Sequence, residues 1–490
     1  MRLLVILGFL LFMLGCSTSQ LPIPISEIHG VSNAISFLEK KDVHWQAQWI
    51  WMHDSIANDV MLARREFQIE NAIEKAELLI TASSQYQLYI NGNYLRRGPA
   101  RSAPHHQSFD RLDVSSMLII GNNTIAIRVH HQRGKRSYTN NGRAGLLAQL
   151  EIETLDDTTI LHTDNHWKVF PDYSWSNNAK RISRFQLVVN DLVDVRKDQR
   201  DWYTMAFDDS EWQKASPLMR LDGWPMPQKD DLAFALTPPW TSLVEREVPY
   251  LDEKDIRATK LIEAHRVTDV PFTLTTTVNA EIGESLPGYE SGSSPIVVPS
   301  SDTSAEWILL FDLGKAHNAI PQLEIEGPSG TEVSILCAPF IVNNEFSNKV
   351  VFSDFEDAIT LSGNRDIWEA TYFKPTRYLG VLVKGGNSVV KIHNVGVHTL
   401  SYPFERQGMI RSNDAKWIED YMEATMKTLD AAPQTLTQII TESDDSMLKL
   451  DIMRLWGITG LMEINICNAD ILYKSLKNSR RMASCQHMRP

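Results

Sequence analysis

The 490-residue sequence predicts a mainly β protein, with two consecutive antiparallel β-sandwich domains followed by the first helices of an α-helical domain. Up to about Gly408, short runs of alternating apolar and polar residues are separated by turn signals, as is typical of sandwiches and jelly rolls. After Gly408 the apolar period becomes that of an amphipathic helix, residues 413–430. The apolar stripe of this helix holds Trp417, Ile418, Tyr421, Met422, Thr425 and Leu429. The sequence ends soon afterwards, so we expect only the beginning of the helical domain.

The first β region is predicted to cover residues 46–221. Its clearest strands are predicted at residues 76–82, 86–90, 124–130, 146–152 and 167–170. Asn91-Gly92 is a hairpin dipeptide whose residues accept positive φ, and residues 121–123 are predicted to form a second turn. A proline-rich stretch, residues 222–245, is predicted to be a linker.

The second β region is predicted to cover residues 246–405, and the incomplete helical segment residues 406–490. Strands are predicted at residues 307–311, 322–326 and 332–337, with a turn at residues 327–330 between the last two. Residues 291–299 are predicted to be a surface loop. The cysteines are too widely spaced for a disulfide framework or a zinc pattern, and Cys337, in an apolar strand, is predicted to be a small core residue.

Composition limits the possible partners and ligands. The formal net charge of −13 argues against a nucleic-acid-binding protein. Thirteen Trp and thirteen Tyr suit either sandwich cores or sugar-stacking platforms. Two histidine pairs, His105-His106 and His130-His131, are candidate metal ligands, but neighbours on a strand point to opposite faces, so one pair cannot hold a metal jointly. Neighbouring strands could still bring one histidine of each pair together. We expect neither a metal nor another cofactor.

The N-terminus has the pattern of a processing segment. Arg2 precedes an apolar run, residues 3–14, which is too short to span a bilayer as a mature helix. Met13-Leu14-Gly15-Cys16 resembles a bacterial lipobox, in which Cys16 would be lipidated. We therefore expect a lipoprotein signal peptide at residues 1–16 and a tether at residues 17–45, and the serine after Cys16 suggests the outer membrane. The alternative is a plain secretory signal with an incidental cysteine.

Several motifs in order resemble bacterial α-L-rhamnosidases, glycoside hydrolase family 78. In the first region these are Tyr89-Ile90-Asn91-Gly92, Arg97-Gly98-Pro99, Phe109-Asp110, residues 120–125, Asp194-Val195-Arg196, Trp202 and residues 207–212. In the second they are residues 311–314, 327–330 and 373–378, and Arg406-Gln407-Gly408 with Ser412-Asn413 resembles the entry to a barrel. The resemblance implies a jelly-roll-like domain, a concanavalin-like sandwich and an (α/α)6 barrel. Elementary chemistry also gives Asn91-Gly92, Asp208-Asp209 and Arg377-Tyr378 plain structural roles.

The family implies inverting hydrolysis, in which a carboxylic acid protonates the leaving oxygen and a second carboxylate activates water. Its acid signature resembles Asp-x-x-x-x-Glu with a further Asp seven residues on. The weak candidates for these acids are Glu442, Asp444 and Asp445, which equally fit a polar helix N-terminus. Five residues after Glu442, Asp444 and Asp445 stand Met447, Lys449 and Leu450, respectively. Seven residues further on stand Arg454, Trp456 and Gly457. No register fits the signature.

The function expected from the sequence is therefore that of an α-L-rhamnosidase-like lipoprotein acting on a rhamnose-containing glycan, in a truncated and catalytically incompetent form. Its membrane contact would be the lipid anchor alone. The first alternative is a non-catalytic carbohydrate-binding surface lipoprotein whose sandwiches act by themselves. The second is an adhesion or structural module that has no sugar site.

Overall fold

The structure is a computed structural model, and it describes residues 43–52, 60–100, 107–131, 144–176, 178–182, 189–218, 243–267, 270–274, 295–299, 306–350, 353–384, 389–403, 417–421 and 423. The chain divides into a unit of residues 1–44 and a unit of residues 45–490. All elements reported below belong to the second unit. That unit is mainly β, as the sequence predicts.

The described residues between 45 and 218 form thirteen strands. They are β1 (Ile50–Trp51), β2 (Val60–Ile69), β3 (Ile73–Ala82), β4 (Gln85–Ile90), β5 (Asn93–Gly98), β6 (Gln107–Asp113), β7 (Gly121–His130), β8 (Leu146–Thr154), β9 (Thr158–His162), β10 (Lys168–Pro171), β11 (Leu192–Asp194), β12 (Gln213–Lys214) and β13 (Ser216–Pro217). Short 3-10 turns lie at Ser115–Met117 and Val195–Lys197. The predicted strands at residues 76–82, 86–90, 124–130 and 146–152 all lie within these elements.

Two sheets face each other in the first sandwich. A seven-stranded sheet has the order β13-β1-β8-β3-β6-β14, with β9 paired to β8, and β14 is Leu243–Glu245. A six-stranded sheet has the order β12-β10-β2-β7-β4-β5. Side chains alternate along each strand, so that Tyr86, Leu88 and Ile90 of β4 are buried in the core between the sheets. Gln87 and Tyr89 therefore lie on the outer face of the six-stranded sheet.

The predicted hairpin dipeptide joins β4 to β5. Asn91 has φ +51° and Gly92 has φ +84°, the left-handed region that a two-residue hairpin turn requires. Gly121 also has positive φ, but Asn122 and Asn123 belong to β7 rather than to a turn. The Asn123 side chain bonds both the N–H and the carbonyl of Ile119, which closes the bend before the strand.

In the described residues, the second sandwich contains one ten-stranded sheet and two short two-stranded sheets, β17-β21 and β22-β23. Its strands are β15 (Asp252–Arg257), β16 (Lys260–Val267), β17 (Phe272–Thr273), β18 (Ile296–Val298), β19 (Glu306–Glu326), β20 (Glu332–Ala338), β21 (Glu345–Phe346), β22 (Lys349–Val350), β23 (Ser353–Asp354), β24 (Glu356–Thr360), β25 (Arg365–Glu369), β26 (Lys374–Val383) and β27 (Val390–Ser401). The order is β11-β24-β20-β26-β19-β27-β15, while β16 and β25 pair with β19, and β18 pairs with β27.

The long strand β19 differs from the two separate strands predicted at residues 307–311 and 322–326. The register shifts between Asp312 and His317, where Gly314 has φ +85°, and the strand continues beyond this bulge. Before the bulge β19 pairs with β16 and β26, and after it mainly with β25 and β27. Side chains of both halves, such as Phe311 and Ile325, pack in one core.

The prediction of a surface loop at residues 291–299 is wrong for residues 295–299, the part that the structure describes. Ile296–Val298 is strand β18, which pairs with β27 and buries Ile296 and Val298 while Val297 is exposed. A three-residue strand is too short for its alternation to stand out in a sequence, and only the partner strand reveals it.

Two strands pair across the predicted domain boundaries. β11, inside the predicted first domain, lies parallel to β24 of the second sandwich. β14, at the end of the predicted linker, lies parallel to β6 of the first sandwich. The first region therefore contributes a strand to the second sandwich, and the predicted linker contributes one to the first sandwich. Domain boundaries inferred from composition do not show these pairings.

A buried charged cluster fixes the chain next to β11. Lys374 and Asp357 are almost fully buried and form an ion pair at 2.8 Å between Nζ and Oδ2. The N–H of Asp191 donates to Asp357 Oδ1 at 2.7 Å, and the N–H of Thr371 donates to Asp191 Oδ2 at 2.7 Å. Burial alone would lower the pKa of Lys374, but Asp357 and Asp191 outweigh it and hold that pKa above the ordinary value.

Residues 417–421 and 423 are helical and lie inside the helix predicted at residues 413–430. Trp417 and Tyr421 of its apolar stripe are 60% and 49% exposed. In the part of the chain that the structure describes, we find no helix of the length and hydropathy needed to cross a membrane. Cys337 is buried in the core, as predicted, and burial raises the pKa of its thiol to about 12.

Candidate functional site

The residues predicted to carry chemistry are mostly outside the described residues. This holds for the acid candidates Glu442, Asp444 and Asp445, for the lipidation candidate Cys16, and for His105 and His106. Among the described ranges, no group of three or more His, Cys, Asp or Glu side chains is arranged to hold a metal.

The pair His130-His131 is described, and its two rings have different surroundings. The His130 ring meets Trp175 edge to face at 4.6 Å between centroids, and burial lowers the pKa of His130 to about 3. His131 Nδ1 lies 3.1 Å from the hydroxyl of Ser83. His130 is therefore a neutral core histidine, and the two rings serve separate packing contacts.

The motif Asp208-Asp209 with Trp212 is held by a buried arginine. Arg64 of β2 is fully buried, and its Nε donates to Asp209 Oδ2 at 3.0 Å. Its Nη1 donates to the carbonyls of Trp202 and Thr204, the latter at 2.8 Å. Arg64 thus fastens the segment 195–212 onto the outer face of the six-stranded sheet.

Asp208 and Asp209 of this motif make different contacts. Asp209 also pairs with Lys168 at 2.8 Å, whereas Asp208 accepts a bond from the N–H of Ser210 and closes a local turn. The structural interpretation of both residues is therefore confirmed.

The fastened segment creates a surface that we call the aromatic face. It consists of Tyr89, Phe170, Tyr173, Trp202, Tyr203, Phe207 and Trp212. Tyr203 stacks on Tyr89 with centroids 4.8 Å apart, and Phe170 stacks on Trp212 at 5.4 Å. Trp202 and Trp212 are buried, while Tyr173 is 58% exposed. Half-exposed rings next to polar groups can stack against the apolar face of a sugar.

A polar pair lies on the same outer face. Arg128 of β7 contacts Asp172 at 3.0 Å between Nη2 and Oδ2, and both side chains are largely buried. Burial raises the pKa of Tyr89, and the positive charge of the nearby Arg128 acts in the opposite direction.

The motifs Arg97-Gly98 and Phe109-Asp110 meet in the structure. Asp110 is buried and accepts bonds from the Tyr86 hydroxyl and from Arg246 Nε, the latter at 2.5 Å. Burial and the nearby carboxylate of Asp110 raise the pKa of Tyr86 well above its ordinary value, so its hydroxyl remains a donor. Gly98 lies directly against this pair.

Replacing Gly98 by Ala is expected to destabilise the first sandwich by about 1–3 kcal/mol, the usual penalty of overpacking. A Cβ at this position would lie 2.1 Å from Asp110 Oδ2 and 2.5 Å from the Tyr86 hydroxyl, so the buried network has to move. The midpoint of urea unfolding measures the effect. Asn93→Ala on the same strand, where the side chain is exposed, is the control. Equal midpoints for the two variants would contradict this account of the motif.

Arg377 in the motif of residues 373–378 is also structural. Its Nε donates to Asp312 Oδ1 at 3.1 Å, and its guanidinium lies over the Tyr378 ring at 4.9 Å. It joins β26 to the bulge of β19, as the strand-anchor interpretation predicts.

A polar network connects the two sandwiches, and we call it the junction cluster. Its members are Tyr94 and Arg97 of β5, Glu253 and Asp255 of β15, Gln322 of β19, Glu369 of β25 and His398 of β27. Tyr94 donates to Glu253 Oε2 at 2.6 Å, and Arg97 pairs with Glu369. Gln322 Nε2 donates to both Asp255 and Glu369, at 3.0 and 2.8 Å.

Sequence reasoning missed Arg64 and every member of the junction cluster except Arg97. Their partners are remote in the chain, and only the paired strands bring them together. The one available signal was Arg97 within a recognised motif.

Comparison with known proteins supports the resemblance to the α-L-rhamnosidase family. The family model of the alpha-L-rhamnosidase N-terminal domain matches residues 71–231. An alpha-L-rhamnosidase of Formosa agariphila is 25% identical over 191 residues, 34% of this chain and 20% of that protein. An alpha-L-rhamnosidase of Streptomyces avermitilis is 28% identical over 177 residues, 32% of this chain and 16% of that protein.

Among solved structures, the GH78 family rhamnosidase of Bacillus sp. GL1 has the same fold in the matched part. The TM-score is 0.61 at 19% identity, and the match covers 79% of this chain and 58% of that chain. In each of these comparisons the matched part is less than two thirds of the relative's own length.

Proposed function

Because this chain belongs to the bacterial α-L-rhamnosidase family, glycoside hydrolase family 78, we propose that it is a rhamnosidase-like protein directed at terminal α-L-rhamnosides. We further propose that its own residues do not carry out the hydrolysis. The proposal follows from the family and from the acidic residues that the sequence offers.

The observation that carries the second part is the acid register near residue 442. Inverting hydrolysis needs two carboxyl groups about 6.5–9.5 Å apart, one as acid and one as base. If Glu442, Asp444 or Asp445 is taken as the first residue of the family signature, the position that requires Glu holds Met, Lys or Leu, respectively. The position that requires the last Asp holds Arg, Trp or Gly. A methionine or a leucine cannot donate a proton, and a lysine here would add charge repulsion to a developing cation.

The test is release of 4-nitrophenol from 4-nitrophenyl α-L-rhamnoside by the 490-residue chain. We expect a rate equal to that of buffer at all pH values between 4 and 8. Turnover that Glu442→Gln abolishes would overturn the proposal, and the anomer first formed, followed by NMR, would then show whether the reaction inverts.

We also propose that the protein is attached to the outer membrane through a lipid on Cys16. The support is the lipobox-like sequence at residues 13–16. Metabolic labelling with a radioactive fatty acid should mark the wild-type protein and not Cys16→Ser. Equal labelling of both proteins, or of neither, would refute the anchor.

The second candidate function is glycan binding by the sandwiches themselves. The aromatic face favours it, since Tyr203 and Tyr173 offer ring surface that is not fully buried. Stacking of a sugar on an aromatic ring, with hydrogen bonds to a few charged groups, is the usual chemistry of such sites.

Isothermal titration with rhamnose-containing oligosaccharides tests this function. We expect saturable binding that is lost in the double variant Tyr173→Ala with Tyr203→Ala. Leu155→Ala is the matched control, because Leu155 is 78% exposed between β8 and β9, in the other sheet of the same sandwich. Flat titrations of the wild-type protein across the panel would exclude glycan binding and leave the adhesion module.

A further inference from the structure

Asp198 lies between two anchored points of the segment 195–212. It follows the 3-10 turn Val195–Lys197, and its N–H donates to the carbonyl of Val195 at 3.2 Å. Two residues later, Arg200 Nη2 donates to Asp366 Oδ1 of β25 at 2.8 Å. Asp366 is buried, so this bond ties the segment to the second sandwich. The backbone is therefore held on both sides of Asp198.

The Asp198 carboxyl lies near the stacked tyrosines of the aromatic face. Burial raises the pKa of Tyr203, and the nearby carboxylates of Asp201 and Asp198 raise it further. The charge of Asp198 also acts on Tyr89 of β4 and on Arg128 of β7. These strands are adjacent in the six-stranded sheet, and the Tyr203 ring stacks on Tyr89. A carboxylate, a guanidinium and a partly exposed aromatic ring therefore lie together on the outer face of this sheet.

The Asp198 carboxylate is accessible, but the protein balances its charge poorly. The residue is exposed, and among the described residues its carboxyl forms no ion pair. Asp172 instead receives the Nε and Nη2 donors of Arg128, at 3.2 and 3.0 Å. Partial loss of hydration and the Asp172 carboxylate raise the pKa of Asp198 to about 6, and the guanidinium groups nearby only partly oppose the rise. A carboxyl group whose pKa is higher in the folded state than in the unfolded chain destabilises the folded state above that higher value. At neutral pH the charge of Asp198 therefore opposes folding.

We propose that Asp198 is the hydrogen-bond acceptor of a sugar subsite on the aromatic face, and that it selects a neutral sugar over a uronate. The proposal rests on the proposed glycan binding by the sandwiches. An ionised carboxylate has several acceptor positions and no donor. Adjacent hydroxyl groups of a sugar can therefore donate to Asp198 while the apolar side of the sugar stacks on the Tyr203 ring.

The charges around Asp198 disfavour an acidic sugar. Both guanidinium groups that act on this carboxylate already have carboxylate partners. Arg128 pairs with Asp172 at 3.0 Å, and Arg200 pairs with Asp366 at 2.8 Å. A uronate would bring its negative charge next to Asp198, and both of these described cations are already paired. Repulsion between the two carboxylates then weakens binding of the uronate, most strongly at low ionic strength.

Isothermal titration of the full chain at pH 8 and low ionic strength tests the proposal. The ligands are a neutral disaccharide that ends in rhamnose and a disaccharide of rhamnose and glucuronic acid. The wild-type protein should bind the neutral disaccharide more tightly than the acidic one. Asp198→Asn should bind the neutral disaccharide about tenfold more weakly, the factor that corresponds to one hydrogen bond to a charged group, and should bind the two disaccharides alike. Asp156→Asn, exposed in the turn between β8 and β9 of the other sheet, is the matched control and should keep the wild-type affinities.

Urea unfolding at the same pH separates this role from a structural one. Because the charge of Asp198 opposes folding, Asp198→Asn should have an unfolding midpoint equal to or above that of the wild-type protein, although it binds the glycan less tightly. Three results would overturn the proposal and leave glycan binding itself intact. They are a lower midpoint in Asp198→Asn, an unchanged affinity of this variant for the neutral disaccharide, and a wild-type affinity for the acidic disaccharide that equals or exceeds that for the neutral one. Flat titrations of the wild-type protein with both disaccharides would overturn this proposal together with the proposed glycan binding.

Discussion

Lys374→Met is expected to lower the free energy of unfolding of the second sandwich by about 3–5 kcal/mol, because removing one partner of a buried ion pair leaves an uncompensated charge. Lys374 is 1% exposed and Asp357 is fully buried. The variant leaves the carboxylates of Asp357 and Asp191 in the core without a cation. The Asp357 contact to the Asp191 backbone would have to hold a carboxylate that no longer has its counter-charge.

Urea denaturation followed by tryptophan fluorescence measures this loss, since Trp175, Trp307 and Trp368 lie in the same core. The matched control is Lys384→Met, which removes a lysine that pairs with Glu332 at the surface of the same sandwich. Exposed pairs contribute about 0–1 kcal/mol, so the control should barely shift the midpoint. A similar shift in both variants would mean that burial does not decide the strength of the Lys374 pair.

Arg64→Met should destabilise the first sandwich by about 3–5 kcal/mol and release the segment that carries the aromatic face. The guanidinium bonds Asp209, Glu66 and the carbonyls of Trp202 and Thr204. Without it, the Asp209 carboxylate keeps its pair with Lys168, the Trp202 carbonyl loses the Arg64 donor, and the Thr204 carbonyl keeps only a long bond from the N–H of Phe207 at 3.5 Å. Methionine fills part of the space and supplies no donor, so the effect measures the hydrogen bonds rather than a cavity.

Limited proteolysis should then cut within residues 195–212 in the variant and not in the wild-type protein, and binding of rhamnose-containing oligosaccharides should weaken. Arg65→Met is the control, because the neighbouring arginine donates to a single exposed carbonyl, that of His166, and should contribute about 1 kcal/mol or less. Resistance of the Arg64→Met variant to proteolysis would show that the aromatic packing alone holds the segment.

The strands of the first sandwich could be predicted because their signals are local. Alternation places Tyr86, Leu88 and Ile90 on one face of β4, and Asn91-Gly92 requires the positive φ that ends this strand. The same approach divided β19 in two, because a polar stretch around Lys315 resembles a loop. In the structure the pairing with β26 is interrupted between Asp312 and His317 and then resumes, so both halves belong to one strand.

The site was much harder to predict. Asp208, Asp209 and Arg377 were correctly interpreted as structural, yet no local pattern identified Arg64 or Asp312 as their partners. The acid candidates near residue 442 rest on the sequence alone. Tyr89 and Tyr203 are far apart in the sequence. Their rings stack because Arg64 holds the segment 195–212, which carries Tyr203, against the sheet that carries Tyr89.

The sequence by itself determined the β class, the hairpin turn at Asn91-Gly92, the resemblance to the rhamnosidase family and the lack of a fitting acid register around residue 442. These features depend on residues that are close in sequence or on the order of motifs, so they can be predicted without knowledge of tertiary contacts. Tertiary structure alone decided the pairing of β11 and β14 across the predicted boundaries, the buried Lys374 pair, the aromatic face and the junction cluster. Those features join groups that are far apart in the chain, and their energies depend on burial and on distances of a few ångströms, which exist only after the sheets have paired.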